Sequence, residues 1–225
     1  MEKAFFIILI IHIAAGSLAL LAGLAAILLR KNVKRHRPAG KIYFWCMTVI
    51  FFSAIYMSVA HGNIFLFCTA VFTYYSALTA YRSLHLKKLH LDQKPTWYDW
   101  AIEAVFGTIN VGFVIFALFL IRENLSFGII SLVFGIIGVR GNIATIKRFR
   151  KKLEYKNYWL LAHIGGMCGS YIGAITAFVV NNSEYIPAPT IVLWLGPAAF
   201  IVPFIIYEVN QHQKKAGKFR EVQSA

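Results

Sequence analysis

The 225-residue chain is 59% hydrophobic and 16% aromatic, with only 14% charged residues and a formal net charge of +14. Soluble domains carry about 25% charged residues, so this composition excludes a soluble globular or disordered protein. What the +14 means depends on where the cations lie.

A helix needs about 20 apolar residues to cross roughly 30 Å of hydrocarbon while bonding its own backbone groups. Seven stretches meet that need. They predict an all-α, seven-transmembrane-helix bundle over residues 1–209, followed by a basic cytoplasmic tail over 210–225. The first span, 4–29, exceeds the apolar core of about 7–15 residues in a signal peptide and lacks a cationic start, so it is read as retained. His12 lies roughly 12 Å into it at about 1.5 Å per residue. Gly16, Ala19 and Gly23 continue its face as a small-residue stripe suited to close helix contact. A histidine in such a seam either bonds a carbonyl or hydroxyl of its neighbour or serves a metal, a haem or a proton relay.

The second and third spans, 42–60 and 64–81, are separated only by His61, Gly62 and Asn63 and form a tight hairpin. Met57 and His61, one turn apart, offer soft copper ligands together with His12, although methionine within a span serves mostly packing. Leucines alternating with His85, Lys87, Lys88 and His90 over residues 84–91 describe a segment resting on headgroups. Pro95 ends it. Thr96 through Asp99 has the form of a capping box opening the fourth span, 100–121, which carries Glu103 near its start.

The fifth span, 125–146, follows only Arg122, Glu123 and Asn124. Ser131, Gly135, Gly138, Asn142 and Thr145 share one small polar face of it. Arg140 points the other way, and either snorkels or clamps an anionic group such as a carboxylate, propionate or lipid phosphate. Glu103 and Glu208, at the same level, are its expected partners in a structural ion pair. In the sixth span, 158–180, His163, Met167, Ser170, Ala174 and Ala177 fall within about 40° of one another, with Tyr171 beside them. Gly165, Gly169 and Gly173 form a nearly opposite close-packing ridge. Pro197 and Pro203 are expected to kink the seventh span, 190–209. Cys46, Cys68 and Cys168 all lie in apolar runs, and their odd number and spacing exclude a disulfide framework and covalent haem attachment.

Of the 23 lysines and arginines, 20 fall in the connections 30–41, 82–99 and 147–157 or in the tail. Only Lys3 and Arg122 fall on the opposite side, and Arg140 within a span. The positive-inside rule then predicts an outside N-terminus and a cytoplasmic C-terminus. The excess charge records topology and contact with anionic headgroups on the cytoplasmic side, and nucleic acid is not an expected partner.

Two stretches carry a resemblance. One runs from His12 through Gly16 and Ser17 to Leu20 and resumes at His36-Arg37-Pro38-Ala39-Gly40-Lys41-Ile42-Tyr43; the other is His163-Ile164-Gly165-Gly166-Met167-Cys168-Gly169-Ser170-Tyr171-Ile172. Together they resemble the bacterial predicted membrane proteins catalogued as domain of unknown function 2306, with the likeness extending through the sixth span. The resemblance implies a bacterial inner-membrane protein and no defined activity. It marks His12, His36, Arg37, Gly40, Tyr43, His163, Ser170 and Tyr171 as positions that match the family pattern. On its own terms, the basic 36–41 turn either brings His36 to His163 or binds headgroups, with Pro38 in the first turn of the next helix.

No dinucleotide fingerprint, P-loop, HExxH or GxSxG occurs, and the spans lack central carboxylates, so no catalytic residue is assigned and hydrolysis is disfavoured. Three readings remain. The first is a binding, sensory or assembly role for a His/Arg cluster in the cytoplasmic half of the bundle. The second is a redox protein holding haem b or a quinone; His36 with His163 is the one histidine pair able to share a depth, if the loop folds inward. The third is a small-solute transporter lined by the polar faces of the fifth and sixth spans. The candidate ligand-binding residues are His12, His36, Arg37, Arg140, Asn142, His163, Met167, Ser170 and Tyr171, and the metal candidates His12, Met57 and His61.

Overall fold

A computed structural model describes residues 2–150 and 156–223, with side chains through 211. Seven helices follow one another: α1 (Glu2–Leu28), α2 (Val33–Ala60), α3 (Ile64–Ser83), α4 (Trp97–Glu123), α5 (Leu125–Arg150), α6 (Tyr158–Asn181) and α7 (Thr190–Gln223). All seven are long and apolar enough to cross a membrane. No strand occurs among the described residues. Large apolar side chains such as Leu21, Phe119 and Phe200 remain exposed on the outer faces, as a lipid-facing surface requires. Helix α7 continues through the basic tail to Gln223.

One helix departs from the hydropathy reading. Helix α2 begins at Val33, well before residue 42, because Asn32 caps it by accepting the Arg35 N–H. Its first turns carry Lys34, Arg35 and Arg37, whose charge hides them from an apolar-run criterion although they are helical. Pro38 consequently sits in the second turn, and the basic 36–41 segment is helix, not turn. At the other end, Gly62 adopts φ +63° in the α2–α3 hairpin, a conformation that costs a glycine little.

The 84–91 segment also differs from expectation. Leu86 is buried, and the Tyr158 hydroxyl donates to its carbonyl while accepting the Leu89 N–H. Gln93 ties the same segment together by donating to the His85 carbonyl and accepting the Lys88 N–H. Leu86 therefore folds inward, its carbonyl and the Leu89 N–H held by Tyr158 of α6, while Leu91, Lys87 and Lys88 stay exposed.

Helix α3 is the hub, packed against α2, α4, α5 and α6; α1 lies on α2 and α6, and α7 on α6 and α5. Two apolar clusters fill the bundle. Ala19, Tyr43, Met47, Tyr74, Ala77 and Tyr171 join α1, α2, α3 and α6. Phe65, Phe113, Ile130, Phe134 and Trp194 join α3, α4, α5 and α7 in the half away from the cations. Of the expected ridge only Gly173 brings α6 close, and Gly166 joins it in place of Gly165 and Gly169. A Cβ at Gly166 would lie 2.7 Å from Ala80, and one at Gly173 2.6 Å from Thr73, both on α3. At Gly165 and Gly169 a Cβ would meet nothing within 4 Å. The α6–α3 contact thus uses the Gly166–Gly173 seam, one position round the helix.

Candidate functional site

The α1/α2/α6 flank gathers most of the histidine candidates. Ser53 donates to the Val49 carbonyl at 2.7 Å, so its oxygen accepts from His12 Nδ1 at 2.8 Å and closes the α1–α2 seam. His36 Nδ1 meets the Ala26 carbonyl at 2.9 Å and His163 Nδ1 the Ala80 carbonyl at 3.3 Å. Their rings stand 6.2 Å apart at 81°. The two histidines meet because His36 is on a helical turn of α2 and not on an inward-folding loop. Below them, Tyr43 donates to Ser170 at 2.7 Å, and Ser170 donates to the Met167 carbonyl. Tyr171 donates to the Leu20 carbonyl at 3.0 Å with its ring over Gly23. Met167 packs against the same core. The His163/Met167/Ser170/Tyr171 face is therefore a stitched helix contact. Arg37 is exposed at the cation-rich end, and His61 packs edge-on against Phe5.

The expected ion-pair partners of Arg140 are elsewhere. Glu208 pairs with Arg30 at 3.0 Å. Glu103 is 4% exposed and accepts from the Tyr75 hydroxyl at 2.7 Å and from Asn142 Nδ2 at 2.9 Å. Arg140 is exposed on the outside of α5, with no ion pair among the described residues. Its helical position, and not its depth, decides this, since the opposite face of α5 is the one packed on α4.

That packed face carries a continuous polar chain. Asn110, 1% exposed, donates to Asn142 Oδ1 at 2.8 Å; Asn142 in turn donates to Glu103. Arg148 donates to the Thr145 hydroxyl at 3.1 Å and to the Ala144 carbonyl at 3.2 Å. Gly138 makes room for Asn110, because a Cβ there would lie 2.7 Å from its amide carbon. Beyond Asn110 the chain stops: its Oδ1 is buried without a partner, and the Phe113, Ile130 and Phe134 layer lies above.

At the cation-rich end the chain opens into a cleft lined by Thr79, Arg82, Asp99, Glu103, Thr145, Arg148 and Tyr158, among others. Arg82 and Asp99 form a bidentate pair at 2.6 and 3.1 Å. Asp99 also accepts the Thr96 N–H and hydroxyl, both at 2.7 Å, so one carboxylate caps α4 and anchors it to α3. Arg148 differs. It is half-buried, and among the described residues it contacts only neutral acceptors. The cleft thus presents a guanidinium that has lost much of its water without a direct ion pair among the described residues, Glu103 in the same cleft being bonded to Tyr75 and Asn142 instead, and such a group favours an anionic guest.

Of the sequence candidates, the structure joins His36 to His163 and Tyr43 to Ser170, places Asn142 in the polar chain, and leaves Arg37 and Arg140 outside. The residues overlooked are Tyr75, Arg82, Asn110 and Arg148. A signal for two of them existed: Arg148 extends the Asn142–Thr145 face by another three residues, and Asn110 lies two turns after Glu103 on α4. No three His, Cys, Asp or Glu side chains converge as a metal site among the described residues.

The chain belongs to the family described as predicted membrane protein (DUF2306), whose model matches residues 9–139. The match takes in His12 and residues 36–43 and ends within α5, so the resemblance at residues 163–172 lies outside it. No curated protein and no solved structure matches the chain.

Proposed function

We propose that this member of a family of predicted membrane proteins is a membrane-embedded binding protein, taking a small ligand into the cleft at its cation-rich end. By the positive-inside rule that end faces the cytoplasm, and the membrane is the bacterial inner membrane. One observation carries the reading: Arg148 lines the cleft half-buried, hydrogen-bonded to neutral oxygens and without a direct ion pair among the described residues, while the nearby Glu103 is held by Tyr75 and Asn142. The polar chain behind it ends at Asn110 beneath an apolar layer, which favours a site with one opening over a continuous transport path. The test is organic extraction of the full-length protein purified in non-ionic detergent, followed by mass spectrometry. Wild type retains an anionic small molecule that Arg148→Ala loses while still folding. Identical extracts from the two proteins overturn the reading.

A second reading rests on the histidine pair. A ring held through Nδ1 by a backbone carbonyl leaves Nε2 free, the way metal-ligating histidines are oriented. His36 and His163, with rings 6.2 Å apart, are the residues that would hold a haem b, which would supply one-electron redox chemistry there. Oxidised and dithionite-reduced absorption spectra decide it: a Soret band lost in His163→Ala supports haem, and a colourless wild type removes it.

A further inference from the structure

We propose that the occupant of the cleft is a single-chain carboxylate amphiphile, a fatty acid, with its head on Arg148 and its chain in the slot between α5 and α6. The inference rests on the cleft being a binding site and adds the chemistry of its guest. The cleft and the slot share Thr79, Thr145, Ala162 and Arg148. From there the slot runs past Tyr75 and Gly141 to Phe72, Ile137 and Gly138. It exists because α5 and α6 both pack on α3 through their own glycines, leaving Gly165 facing open space. The polarity changes along its length, from a guanidinium and hydroxyls at the rim to aromatic and aliphatic walls within.

Size selects the guest at both ends. The slot encloses about 250 Å³. An apolar cavity of about 150 Å³ holds benzene, so on that scale the slot admits about ten carbon atoms, one chain and not two. The cleft at the head end encloses about 40 Å³. That is little more than the roughly 30 Å³ share of one water molecule, so a compact carboxylate enters the cleft, whereas a larger headgroup has to stay at its open rim. A guanidinium matches a carboxylate in planar, two-bond geometry. Of the other charges at the cleft, Arg82 and Asp99 neutralise each other, whereas Glu103 opposes an incoming anion even though Tyr75 and Asn142 hold it on the α4 side. Glu103→Gln therefore strengthens binding.

The experiment uses full-length protein in nanodiscs of zwitterionic lipid, titrated calorimetrically with dodecanoate, dodecanol, butyrate and dioleoylphosphatidylglycerol. Dodecanoate is expected to bind one to one, about tenfold or more tighter than any of the other three: dodecanol lacks the charge-assisted contact, butyrate the buried chain, and phosphatidylglycerol the compact head. Arg148→Ala is expected to lower its affinity about tenfold, Arg148→Lys less, and Glu103→Gln to raise it. Gly165→Phe fills the slot and abolishes dodecanoate binding while its unfolding midpoint stays at the wild-type value. Butyrate binding as well as dodecanoate, still dependent on Arg148, overturns the fatty-acid inference and leaves the binding site standing. Equal affinity for dodecanol or for phosphatidylglycerol overturns it as well. Failure of every probe, together with extracts that do not respond to Arg148→Ala, overturns both.

Discussion

The two flanks of α3 use polar residues in opposite ways. On the α1/α2 side the histidines and tyrosines that drew attention, His61 excepted, are tied across a seam: His12 to Ser53, His36 to the Ala26 carbonyl, His163 to the Ala80 carbonyl, Tyr43 to Ser170, Tyr171 to the Leu20 carbonyl. Glycine there serves contact, with Gly23 under the Tyr171 ring. On the α4/α5 side the polar residues run as a chain along one interface and end in a cleft where Arg148 makes no direct ion pair among the described residues. The difference teaches that chemical type is a poor guide to role inside a membrane. A satisfied group holds helices together, and an unsatisfied charge beside a cavity waits for something.

Substitutions on the two flanks sharpen or break this contrast. The largest loss of stability is expected at Arg82→Ala, which strands the buried Asp99 and costs about 3 kcal/mol in a reversible detergent-unfolding titration. A loss below about 1 kcal/mol there would mean that the pair does not anchor α4, since exposed ion pairs contribute no more. Glu103→Ala leaves the Asn142 Nδ2 donor without its acceptor and the Tyr75 hydroxyl with only a long contact to Thr145, and is expected to cost about 2 kcal/mol by the same titration. On the stitched flank, Tyr43→Phe removes one neutral bond to Ser170 and is expected to cost about 0.6 kcal/mol, the average for such bonds in a membrane. It leaves dodecanoate affinity untouched. Arg140→Ala, on the outer face, is expected to stay within about 0.5 kcal/mol of wild type. A larger effect would restore Arg140 to the interior.

The seven spans were legible because an apolar run is a one-dimensional property and the bilayer demands it of each helix separately. Which face of a helix turns inward is not such a property. Arg140 lies within an apolar run and attracts attention, yet it faces out. Arg148 lies past residue 146, among cations that mark topology, and turns back into the bundle because α5 continues helically to Arg150. His36 shows the same effect in α2, where charge concealed the helical turns that carry it toward His163. The GxxxGxxxG ridge held only at Gly173 for a related reason: the repeat states that close packing is available, and the neighbouring helix chooses Gly166 and Gly173.

The central claim is that the chemistry belongs to the Arg148 flank and the histidine flank is structural. The most direct test is the dodecanoate affinity of Arg148→Ala and His163→Ala, measured side by side with wild type in the same nanodiscs. Arg148→Ala is expected to lose about tenfold or more and His163→Ala to keep the wild-type value. Equal losses in both, or a loss confined to His163→Ala, would contradict it.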